Sequence, residues 1–68
     1  MLPHIKFENK MKHIINTCDG SAHYDLLRHA NNGMKLYSKL YKNNDKNEAL
    51  LLRREIQVAY DLIGSGLV

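Results

Sequence analysis

His4, His13, His23, His29 and Cys18 are the side chains with the widest chemical reach in this 68-residue chain. Imidazole and thiolate are favoured zinc ligands, and together they also make nucleophile–base pairs. The spacing argues against both uses. Structural zinc sites pair their ligands closely, as in C-x₂₋₄-C with H-x₃₋₅-H. Cys18, His23 and His29 stand five and six apart, and there is no second cysteine. A zinc site built from them would need Asp19 or Asp25 as its fourth ligand. A Cys18–His23 nucleophile would need an orienting group and an oxyanion site, and no motif supplies either. Cys18 therefore reads as a small buried apolar residue. Asp25 and His29, four apart, read as a local helix-surface pair. The chain contains no G-x-x-x-x-G-K, G-x-G-x-x-G or H-E-x-x-H. No metal, cofactor, catalytic residue or small-molecule substrate is expected, and the chain is not expected to be an enzyme.

The basic residues are better organised. Arg28, Lys35, Lys39 and Lys42 recur at i, i+7, i+11 and i+14. On a helix turning about 100° per residue they share a strip roughly 60° wide, free of acids. Such a strip neutralises phosphates along a nucleic-acid backbone or meets an acidic protein surface; otherwise it is a solvated face. A helix-turn-helix reading fails, because the linker around Asn43 has no glycine and Gly33 lies inside a continuous helical phase. Arg53 and Arg54 read as local partners of Glu residues or as covers of apolar surface.

A third group is apolar. In the last segment, Ala49, Leu52, Ile56, Ala59, Tyr60 and Ile63 form one helical face, and Leu51, Val58 and Leu62 form a second about 120° away. Either this helix is central and packs on both others, or a partner buries the second face. Leu51, Val58, Leu62 and Leu67 are accordingly the expected protein interface, with another protein or a second copy as partner.

Three segments must position these residues, divided by turn signals at Asp19-Gly20-Ser21 and Asn43-Asn44-Asp45. The predicted helices span about 4–18, 21–42 and 45–63. In the first, Phe7, Met11, Ile14, Ile15 and Cys18 share a face, although Ile5 and Phe7 also alternate as in a short strand, with a turn at Glu8-Asn9-Lys10. The second begins at Ser21, a natural N-cap, and runs through Gly33 at a cost of about 1 kcal/mol, with a kink there or two shorter helices as the alternative. The third opens on Asp45-Lys46-Asn47-Glu48, a partial capping box, and closes at Gly64. The expected fold is all-α: a small three-helix unit dominated by an antiparallel helical hairpin of the second and third helices. The alternative is a short N-terminal β-hairpin packed on a two-helix hairpin. The expected core includes Ile14, Leu26, Ala30, Met34, Tyr37, Leu52, Ile56, Ala59 and Ile63.

Composition bounds the rest. At this length a single core supplies about 3–5 kcal/mol, so a supplement is common. One cysteine excludes an intrachain disulfide, and oligomerisation or partner burial becomes the expected supplement. No apolar run approaches the roughly 18 residues of a membrane span, and no secretory signal is visible, so the expected location is cytoplasmic. Net charge is +3, with seven Lys, three Arg and seven Asn. The size, the Lys/Asn bias and the lack of catalytic motifs look like those of small phage or mobile-element proteins that bind and modulate another protein. The function read from sequence is a small protein–protein interaction module, a regulator or inhibitor. The alternative is sequence-nonspecific nucleic-acid binding.

Overall fold

A computed structural model describes residues 1–17 and 20–66. The fold is all-α, with three helices: α1 (Pro3–Thr17), α2 (Ala22–Lys42) and α3 (Lys46–Ser65). The alternative N-terminal β-hairpin does not form. Phe7, Met11 and Ile14 are buried along one side of α1. The helical template buries three large side chains there, whereas the strand pattern would have buried two. Pro3 occupies the first helical position, where its missing N–H costs nothing. The Leu2 carbonyl takes the first bonds, from the N–H groups of Ile5 at 3.1 Å and Lys6 at 3.0 Å.

The core gathers Phe7, Met11 and Ile14 from α1, Ala22, Leu26 and Ala30 from α2, and Leu52, Ile56 and Ala59 from α3. Leu26, Leu52 and Ile56 are the largest side chains fully removed from solvent. Each contributes about 1.5–3 kcal/mol by burial. Ala22, Ala30 and Gly33 face the neighbouring helices from α2, and Ala49 and Ala59 do so from α3. These small residues let the helix axes approach. Of the expected core, Tyr37 and Ile63 are half-buried against this cluster. Met34 is a correction: it is 36% exposed. The apolar arc of α2 is about 180° wide, more than two neighbouring helices cover, so Met34, Leu36 and Tyr41 emerge at its edges.

Gly33 does not break α2, which is continuous from Ala22 to Lys42. A Cβ at this position would stand 2.6 Å from the Phe7 ring and 3.0 Å from Ile56. Glycine is therefore there for the close approach of α1 and α3.

Between α2 and α3, Asn44 adopts a left-handed conformation at φ 63°. The Asp45 N–H bonds the Leu40 carbonyl at 3.0 Å and the Asn44 N–H bonds that of Tyr41 at 3.2 Å. This is a Schellman ending, with asparagine where glycine is commonest. The Asp45 carbonyl then accepts the first bond of α3, from the Ala49 N–H at 3.0 Å. Contacts between the two helices pair Tyr41 with Lys46, Tyr37 with Arg53, Gly33 with Ile56 and Asn31 with Tyr60.

Three termini differ from expectation. The Ser21 hydroxyl does not cap α2 and donates instead to the Asp25 carboxylate at 3.3 Å. The Asp45 side chain does not cap α3. α3 runs past Gly64 and ends with Gly66 in the left-handed conformation, φ 75°; Gly64 is helical.

Candidate functional site

The surfaces are set by how the polar side chains at the helix contacts are consumed. Glu48, third residue of α3, is buried. It does not return to its own helix start as a capping box requires. Its Oε1 accepts the His4 backbone N–H at 2.8 Å and also meets the His4 ring Nδ1. An ionised carboxylate only accepts, so Nδ1 carries the proton. Glu48 therefore caps α1 rather than α3. Burial pushes its carboxyl up, but the His4 N–H, the ring hydrogen bond and the ring charge outweigh burial and hold it below the usual range.

Beside this contact, Glu55 of α3 faces Glu8 of α1. Burial first, then the Glu8 charge and a hydrogen bond with it, raise the Glu55 carboxyl. Glu8 is pulled down by the Lys12 ammonium, 3.0 Å away. The two carboxyls are thereby split, and Glu55 takes up a proton first.

Across α1 and α2, the His29 ring stacks on Phe7 with centroids 3.9 Å apart, and its Nε2–H donates to the Phe7 carbonyl at 2.9 Å. The expected Asp25–His29 pair does not form, because each side chain has another partner. Burial holds the His29 imidazole below its ordinary value, against the opposing Phe7 bond. Among the described residues no three His, Cys, Asp or Glu converge as metal ligands. Cys18, expected to be buried, and Asp19, a possible fourth zinc ligand, lie outside the described residues.

With those groups occupied, two faces stay open. On the outer side of α3, Leu51 is 41% and Val58 45% exposed. Leu62, expected in the same face, is half-buried and packs on the core. Leu67 lies outside the described residues. Leu50, not singled out from the sequence, is 55% exposed and joins the face. Its apolar character was visible, but about 80° from the nearest member of either stripe it fitted neither. One depression is lined by Asn47, Leu50, Leu51, Arg53, Arg54 and Gln57, and the next by His4, Leu51, Arg54, Glu55, Gln57 and Val58. Arg53 leaves this face to cover the Tyr37 ring at 5.6 Å, as an apolar-surface cover does. Arg54 stays on the face, and among the described residues it has no ion pair or hydrogen bond.

The second face is basic. Arg28, Lys35, Lys39 and Lys42 are all exposed on α2. Sequence reasoning missed that α1 adds to this side. Lys6 and Lys10 line an open groove of about 730 Å³ whose far wall includes Asn32 and Leu36, with Phe7, His29 and Gly33 at its base. Lys10 and His13 also border Arg28 and Asp25. Together α1 and α2 hold seven of the ten Lys and Arg but two of the seven Asp and Glu. The signal was available as Lys6 and Lys10 on one side of the first helix, but their neighbour became known only with the packing.

Among the described residues no helix is long and apolar enough to cross a membrane. No known protein family, curated protein or solved structure matches the chain.

Proposed function

We propose that this chain is a small protein–protein interaction module, a regulator or inhibitor, that docks through the outer face of α3. The frame is an antiparallel α2–α3 hairpin with α1 laid against it. The observation that carries the reading is the exposure of Leu51 and Val58, joined by Leu50, on a helix whose opposite side is already packed against both neighbours. A fold this small gains stability by burying such a face against a partner. Leu62 forms the inner border of the face, and Leu67 is counted with it in this proposal. Leu51→Glu and Val58→Glu should each leave the helical circular-dichroism signal intact and abolish capture of partners in a pull-down. Unfolding by either change would assign the face to the core and end the reading.

A second reading has its own support. The strip of Arg28, Lys35, Lys39 and Lys42 meets α1 at its Arg28 end, where Lys10 shares a depression with Arg28, and Lys6 and Lys10 line the adjoining groove, which favours a polyanion such as nucleic acid. It expects affinity to fall steeply with salt. Lys35→Glu with Lys39→Glu should weaken binding regardless of nucleic-acid sequence and flatten the salt slope by about two. No binding to duplex or single strands at low salt would remove it.

A further inference from the structure

We propose that the occupant of the α3 face is a second copy of this chain, with the two α3 helices side by side and running in the same direction about a two-fold axis. This rests on the docking reading above and adds the partner and its orientation. Leu51 and Val58, seven residues apart, fall within about 20° of each other around α3 at about 100° per residue. Arg54 lies about 50° to one side of their line and Glu55 about 50° to the other, at the same height. A two-fold axis parallel to the helices brings opposite flanks together, as in the flanking charge pairs of parallel coiled coils. Leu51 then meets Leu51 and Val58 meets Val58. Arg54 of each copy meets Glu55 of the other, twice over. An antiparallel pair brings like flanks together and sets the Arg54 flank against its own kind.

The charges around the seam fit this pairing. Arg54 has no ion pair among the described residues and stands in the same depression as Glu55 and Val58. Glu55 faces the Glu8 carboxylate, and the Lys12 ammonium is already bonded to Glu8. The His4 ring in the same depression is already engaged by Glu48, so Glu55 has room for a further cation, and the guanidinium of a second copy supplies it. Asn47, about 30° from the Leu51–Val58 line, continues the seam one turn earlier, and Gln57 lies beyond Arg54 on the same side.

Sedimentation equilibrium of the full chain, from micromolar to millimolar concentration, tests the proposal. The wild-type chain should dimerise. Arg54→Glu and Glu55→Arg should each weaken the dimer by roughly an order of magnitude or more, since each sets like charges together twice. The double reversal should restore it. All three variants should keep the helical signal, because Arg54 is exposed and Glu55→Arg replaces a carboxylate that Glu8 repels. A folded wild-type chain that stays monomeric overturns the second copy and leaves the docking reading to its pull-down. A dimer indifferent to both single reversals, or a folded double variant that stays monomeric, overturns the proposed orientation and the charge pairing with it. Unfolding of Leu51→Glu overturns this inference and the docking reading together.

Discussion

At single residues, the packing turns ordinary preferences around. Alanine is a better helix former than glycine by about 1 kcal/mol, so Gly33→Ala would stabilise an exposed helix. Here the added methyl meets the Phe7 ring, which is held in place by its stack on His29. Overpacking costs about 1–3 kcal/mol, and the net effect on the thermal midpoint should be a decrease. The titratable groups divide by sign. Glu48 has a lowered folded value, so its contribution is present above its ordinary 4.5 and is lost as pH falls through the folded value. His29 is also lowered, so its contribution is complete above its ordinary 6.5 and is lost as pH falls toward the folded value. Both make the fold sensitive to acid. Glu48→Gln should therefore cost about 1–3 kcal/mol near neutrality, and a urea titration well below pH 4.5 should show that difference vanish. Glu55 has the opposite sign: its value is raised, and stability is lost as pH rises through it. Glu55→Gln, followed at concentrations low enough to hold the monomer, should raise the urea midpoint near neutrality and leave it unchanged in acid.

At the level of helices, Asn44 is where the connection stores its strain. It adopts the left-handed conformation that glycine reaches without a Cβ penalty. Asn44→Gly should raise stability by a few tenths of a kcal/mol to about 1 kcal/mol, and Asn44→Val should lower it, read as shifts in thermal midpoint. The helices themselves were legible in the sequence, because periodicity is local: Phe7, Met11 and Ile14 state a face without reference to anything else. Asn43-Asn44-Asp45 announced its turn for the same reason. What was not legible depends on a neighbour. Glu48 has capping-box spacing from Asp45, yet its hydrogen-bond partner stands 44 residues away. Gly33 resembled a weak point because Phe7 and Ile56, which require it, belong to other helices. Met34 and Leu26 carry the same apolar signal, and only the width of the surrounding helices separates the exposed edge from the buried centre. The α3 face was legible as an apolar stripe but not as a surface. Leu51 and Val58 would look the same in sequence if α1 covered them, and only the docking angle of α1 leaves them open.

Over the whole molecule, charge and apolarity fall on different sides. The basic groove of α1 and α2 and the α3 face do not share a residue, so both surfaces remain available at once. A dimer through α3 would carry two basic grooves, and its affinity for a long polyanion should exceed that of the Leu51→Glu monomer through linked binding. Comparing the two chains in a salt titration checks this. The Glu48–His4 contact bears on the order in which the bundle assembles. α2 and α3 are joined by a three-residue connection and find each other over short chain distances. α1 reaches α3 through pairs such as His4 with Glu48, whose closure spans 44 residues and costs more chain entropy. α1 meets α2 at shorter range, Phe7 and His29 being 22 residues apart, so it is the α1–α3 side of the bundle that closes at the greatest entropic cost. Amide hydrogens in α1 should exchange with solvent ahead of those in α2 and α3, and the buried carboxylate at the start of α3 is the latch whose loss widens that gap.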